Sequence, residues 1–122
     1  MISVEKIISK LIIQTKSNKI KWFYLSENAD VIDICENISP NDLNYNSSFS
    51  LEINSGYFVL CEDVFKNIYL IIIPSLDSKD IQCINKNEDR NLTHQQELLR
   101  LQNLVKKQFP NVEDFLQEFM DD

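Results

Sequence analysis

Residues 49–73 read FSLEINSGYFVLCEDVFKNIYLIII, and the fold is decided there. Phe49, Leu51 and Ile53 alternate with Ser50, Glu52 and Asn54. That period of two marks a strand with one buried face. Asn54, Ser55 and Gly56 predict a tight turn, and Gly56 is the only glycine in the chain. Tyr57 to Glu62 reads as the return strand and Asp63 to Asn67 as the next connection. From Ile68 the run is continuously apolar, so Asn67 to Ile73 reads as a strand buried on both faces. Pro74, with no amide hydrogen to donate, stops regular pairing there. Ile81 to Ile84 offers a last short strand. Short strands in close succession predict an antiparallel meander of four to five strands.

Upstream, Val4, Ile7, Ile8, Leu11 and Ile12 follow the i, i+3, i+4, i+7, i+8 pattern. This predicts an amphipathic helix over residues 3–16, with Ser3 able to cap it. Ile20 to Leu25, dense in aromatic and β-branched residues, reads as a strand. Residues 26–48 are rich in Asn, Asp and Ser, yet Val31, Ile32, Ile34 and Ile38 argue against a plain linker. A short strand or a helical turn fits there.

Downstream, Asn85 to Asn91 is a polar connection. Thr93 and Gln96 have capping-box spacing, and Leu98, Leu101, Val105 and Phe109 form a helical stripe. Pro110 breaks that helix. Asn111 and Asp114 begin a second one, along which Val112, Phe115, Leu116, Phe119 and Met120 share a face. The expected architecture is α+β over one domain, residues 1–122. It comprises an N-terminal helix, a small antiparallel sheet and two C-terminal helices packed on one face.

The chain has 122 residues, 43% of them hydrophobic and 25% charged, enough for one core without metal or disulfide support. Its net charge of −7 argues against binding phosphate backbones or anionic lipid. The charge is unevenly spread. Residues 1–23 carry Lys6, Lys10, Lys16, Lys19 and Lys21 against Glu5, whereas Glu113, Asp114, Glu118, Asp121 and Asp122 crowd the other end. Ends of opposite sign suit packing against each other, within the fold or between chains.

Sites for chemistry are scarce. A single histidine, His94, lies at the start of a helix, where an exposed first-turn role suits it, and no second ligand stands at zinc spacing. One glycine cannot build a nucleotide-binding glycine loop. Glu62 and Asp63 at a strand end are accounted for by turn solvation. Cys35, Cys61 and Cys83 are odd in number and without C-x-x-C spacing, so they read as reduced, with Cys35 the most accessible. The apolar stretch Ile7 to Ile13 is too short and too interrupted to span a bilayer. These features predict a cytoplasmic chain with no cofactor, no metal and no catalytic residue.

Two places suit binding instead. Trp22, Phe23 and Tyr24 are consecutive, so Trp22 and Tyr24 share one face of a strand. If Phe23 faces the core, Trp22 and Tyr24 form an exposed patch. If a helix covers Trp22, they do not. Lys19 and Lys21 beside them make single-stranded nucleic acid a minor option, given the acidic balance. On the last helix, Phe115 and Phe119 with Glu113, Asp114 and Glu118 either close the core or meet a partner.

The opening helix followed by NKIKWFYL, with the ending ELLRLQNLVKKQFPNVEDFLQEFMDD, resembles small, mostly uncharacterised bacterial α+β proteins of variable genomic regions. These stretches cover about a third of the chain. The resemblance implies a small antiparallel sheet and a role in mobile-element or inter-bacterial conflict; it transfers no site residue. Three functions stand. The first is a non-enzymatic acidic domain that binds a basic protein, such as an immunity protein or an inhibitor of a nuclease-like effector. The second is a homo-oligomeric assembly protein joined through the last helix. The third is a small enzyme using scattered carboxylates and His94.

Overall fold

The computed structural model describes residues 2–36, 38–86 and 91–121. Helix α1 spans Val4–Lys16, strand β1 Phe23–Tyr24 and helix α2 Ala29–Ile34. Strands β2 (Phe49–Ile53), β3 (Gly56–Glu62), β4 (Ile68–Ile73) and β5 (Gln82–Ile84) follow, then helices α3 (Leu92–Lys106) and α4 (Val112–Asp121). The five strands form an antiparallel meander in the order β1-β2-β3-β4-β5. The fold class is the expected α+β. The strand predicted over Ile20–Leu25 shortens to two residues.

Register sorts the side chains onto two faces. Phe49 lies opposite Leu60, which lies opposite Leu70, which lies opposite Ile84. This row meets Ile8, Leu11 and Ile12 of α1 and Leu98, Leu101 and Val105 of α3. The next row, Val59, Ile71 and Cys83, points the other way, with Cys61 and Tyr69 beside it. Leu25, Val31, Cys35, Ile38 and Leu43 cover it. The continuous apolar run of β4 is therefore buried on both faces, as its sequence demands. The polar stretch 26–48 supplies the second cover through α2 and short 3-10 turns.

The helix ends are satisfied locally. Ser3 caps α1 by accepting from the Lys6 amide at 3.2 Å. Asn18, with φ of 60°, ends α1 in the left-handed region, which asparagine tolerates. The α3 cap corrects the expectation of a Thr93–Gln96 box. Asn91 is the N-cap, and its side-chain oxygen accepts from the His94 amide at 2.8 Å. The predicted connection Asn85–Asn91 lies partly outside the described residues, at 87–90. Its first residue, Asn85, is buried with φ of 70° and donates to the Ile68 carbonyl at 2.9 Å.

The last helix corrects a second expectation. Helix α3 packs on the sheet beside α1, but α4 buries no residue. Its apolar stripe lies outside both cores.

The turn between β2 and β3 differs in its physical cause from the sequence reading. Asn54 and Ser55 hold the positive φ angles, 57° and 93°, that a tight hairpin turn requires. Gly56 opens β3 opposite Ile53 without one. Its role is close approach: a Cβ there would stand 2.8 Å from the Ile73 carbonyl oxygen and 2.9 Å from that of Pro74. Both are backbone atoms with little freedom to retreat. Gly56→Ala is expected to destabilise the chain by about 1–3 kcal/mol. Ser55→Gly is expected to stabilise it by about 0.5–1 kcal/mol, by relieving a left-handed non-glycine residue. Urea unfolding of the two variants checks both signs, and a neutral Gly56→Ala would refute the close-approach argument.

Candidate functional site

The aromatic candidates separate in the structure. Trp22 and Tyr24 do share a face, but it is the core face. Trp22 has 0% of its surface exposed, and Tyr24 is half-buried against the same core. Phe23 points outward, half-exposed, with the Lys21 ammonium 5.8 Å from its ring centre. Trp22 is thus corrected from candidate anchor to core residue. Its indole Nε1 donates to Thr15 Oγ1 of α1 at 3.0 Å, so burial costs it no hydrogen bond. Its backbone amide donates to Gln108 Oε1 at 3.0 Å, and Gln108 Nε2 donates to the Ile20 carbonyl at 3.0 Å. The next residue, Phe109, lies 4.5 Å from the Tyr24 ring centre and 5.2 Å from that of Phe49. The corner after α3 is therefore pinned by two side chains.

Beyond that corner the chain forms α4 without further support from the core. Asn111 Oδ1 accepts from the Asp114 amide at 2.8 Å and caps the helix. Phe115 is 64% exposed and Phe119 66%, with Val112, Leu116 and Met120 exposed beside them. Their spacing puts them on one stripe. The remaining positions hold Glu113, Asp114, Gln117, Glu118 and Asp121. Glu113 and Asp114 suit the positive end of the helix dipole. Glu118 and Asp121 sit toward the negative end, with no basic residue in the last turn to offset them. A cation brought by another surface would favour that end. The sequence candidates Phe115, Phe119, Glu113, Asp114 and Glu118 thus come together on one exposed helix.

The polar candidates have structural roles. His94 is mostly covered; its Nε2 lies 3.2 Å from Glu5 Oε1, joining the start of α3 to the start of α1. A hydrogen bond from its own helix terminus, with the His94 contact, holds the Glu5 carboxyl below the usual carboxylate range. Glu62 is buried rather than solvated. Its carboxylate accepts from Asn44 Nδ2 at 2.6 Å and from Gln102 Nε2 at 3.2 Å. Asp63 accepts from the Phe65 and Asn67 amides, both at 2.9 Å, and so shapes the β3–β4 connection. Cys35, expected to be the most accessible thiol, is buried; Cys83 is the partly exposed one. Burial pushes the Cys61 thiol and the Tyr69 hydroxyl well above their ordinary ranges, which leaves Cys61 a poor nucleophile. Among the described residues no group of three or more His, Cys, Asp or Glu side chains could hold a metal ion. None of the helices there is long and apolar enough to cross a membrane.

Sequence reading passed over two surface features. Val64 and Phe65 project from the β3–β4 connection, two apolar residues that the sequence shows but whose exposure it does not. Lys16, Leu99, Arg100, Leu104 and Lys107 line a shallow groove of about 430 Å³. Its α3 residues recur at helical spacing along one face, while Lys16 of α1 reaches it only through folding.

Substitution separates the two aromatic sites. Trp22→Ala is expected to cost about 3–5 kcal/mol, the usual loss for a buried large aromatic. Phe119→Asp is expected to change stability by less than about 0.5 kcal/mol, as at other exposed positions. Thermal unfolding followed by circular dichroism checks both, and a large loss from Phe119→Asp would return that residue to the core. Compared with protein-family models, with curated proteins and with solved structures, the chain matches none.

Proposed function

We propose that the chain is a non-enzymatic, cytoplasmic protein-binding domain that offers α4 to a basic partner protein. The concrete version is an immunity protein or an inhibitor of a nuclease-like effector. The observation that carries this reading is the exposed stripe of Phe115, Leu116, Phe119 and Met120 on a helix whose other positions are mostly acidic. Contiguous apolar surface of this kind is uncommon on a chain that works alone. An amphipathic helix laid into a groove is a recurrent mode of recognition, read through anchors spaced i, i+3, i+4 and i+7.

The chemistry defines the partner. The aromatic anchors need an apolar floor, which supplies affinity. The acids need a rim of Lys or Arg, which speeds encounter and excludes acidic surfaces. A ten-residue helix is marginal when isolated in water, so a groove would also contribute by holding α4 folded. The net charge of −7 adds long-range attraction toward the same kind of surface. Lys19 and Lys21 remain the only basic flank beside Phe23, and the charge balance leaves nucleic acid the poorer fit.

The test is affinity capture from the native host with the tagged full chain and with its Phe119→Asp variant. A basic protein should be recovered in near-equal amount by the wild type and lost with the variant. Its association rate should fall about tenfold or more between roughly 50 mM and 500 mM salt. Capture that ignores both the substitution and the salt would reject the reading.

A further inference from the structure

The groove lined by Lys16, Leu99, Arg100, Leu104 and Lys107 is the surface that α4 itself asks for. Leu99 and the edge of Leu104 give it an apolar floor beside the polar Gln96 and Asn103; Lys16 at the end of α1, Arg100 of α3 and Lys107, the residue that caps α3, give it a basic rim. No acidic residue lines it. Glu97 approaches Arg100 at 4.0 Å one helical turn away, but both side chains are well exposed, and such a pair contributes little. Helix α4 has the complementary character: aromatic and aliphatic anchors, four acids between residues 113 and 121, and no basic residue.

These two surfaces do not meet within one chain, for α4 buries no residue. The geometry of the corner explains why. Gln108 is tied to Trp22 and Ile20, and Phe109 packs tilted against Tyr24 and stacked on Phe49. Helix α4 begins only three residues later, after Pro110, so its exit is fixed by the core.

We infer that α4 of one copy docks in the Lys16–Arg100–Lys107 groove of a second copy, reciprocally, to give a closed dimer. Phe115 and Phe119 lie on Leu99 and Leu104. Glu118 and Asp121 meet the basic rim, which supplies the cations missing from the C-terminal end of their own helix. A single α4, ten residues and about 15 Å long, is a small contact. Reciprocal exchange doubles the buried surface and closes the assembly with two-fold symmetry, leaving no groove open for filament growth. The inference rests on α4 being the binding helix. It adds that the protein without its partner holds α4 in its own second copy, and that the foreign partner displaces it.

Sedimentation velocity on the full chain tests this between about 5 and 200 μM in low salt, a range that spans micromolar dissociation constants. The wild type is expected to be dimeric at the upper end. Phe119→Asp is expected to weaken the dimer about tenfold or more, as loss of an interface anchor does. Arg100→Glu with Lys107→Glu is expected to weaken it comparably. At concentrations low enough that the wild type is monomeric, both should keep its circular dichroism and melting point, and Lys16→Glu serves as a second groove variant if the pair unfolds. Joining Arg100→Glu and Lys107→Glu to Glu118→Lys and Asp121→Lys should restore the dimer. A wild type that stays monomeric throughout would overturn the inference, as would a dimer sensitive to Phe119→Asp but indifferent to every groove charge. Neither result touches capture of a foreign basic protein, which depends on Phe119 and not on Arg100 or Lys107.

Discussion

A strand with apolar side chains on both faces has to be covered twice, and β4 imposes this on the whole chain. Leu70 and Ile68 point toward α1 and α3, while Tyr69, Ile71 and Ile73 point toward the segment that precedes β2. Helices α1 and α3 and the segment that precedes β2 are placed by this requirement. Helices α1 and α3 lie side by side because one helix is too narrow to shield the row from Phe49 to Ile84. The asparagine-rich stretch 26–48 has to cross the opposite face, and it does so with Val31, Cys35, Ile38 and Leu43 spaced among polar residues. What looks like a loop in composition is half of the protein's shielding from water.

The edges of this arrangement are held by polar groups. Buried Glu62 at the end of β3 takes its hydrogen bonds from Asn44 and Gln102 and so links the covering segment to α3. Ser48 Oγ accepts from the Glu62 amide and donates to the Asn44 carbonyl in the same cluster. Asn85 plays the matching part at the far end, between β4 and α3. Because every buried side-chain nitrogen and oxygen among the described residues has a partner, these links hold the layers without a desolvation penalty left open. At the third edge Trp22, Gln108 and Phe109 seal the core, and the chain after Phe109 adds nothing to it.

The strands and α1 were legible because their periodicity is strong and local. The double burial of β4 was legible from six unbroken apolar residues. Which face of Trp22-Phe23-Tyr24 points inward was not, since alternation gives parity and not direction; the direction comes from Thr15 and Gln108, seven and 86 residues away. The stripe on α4 was legible as a stripe. Its exposure was not, because an apolar face looks the same whether a core or a partner is to receive it. Glycine's tolerance of left-handed backbone suits Gly56 to the turn, yet the constraint on it is the carbonyl of Ile73 across the sheet. The basic groove is legible only in part: Arg100 and Lys107 stand at helical spacing, but Lys16 joins them only by folding.

The pinned corner at Gln108 and Phe109 divides the chain into a part that builds the two cores and a part that lies outside them. Upstream, most substitutions are judged by whether the two cores still close. Downstream, α4 buries no residue, so its side chains can change while both cores stay closed. Substitution along α4 therefore costs folding little, whereas substitution along α3 reaches the core through Leu98, Leu101 and Val105. If α4 is the binding helix, as proposed, that arrangement lets specificity change while the scaffold stays the same.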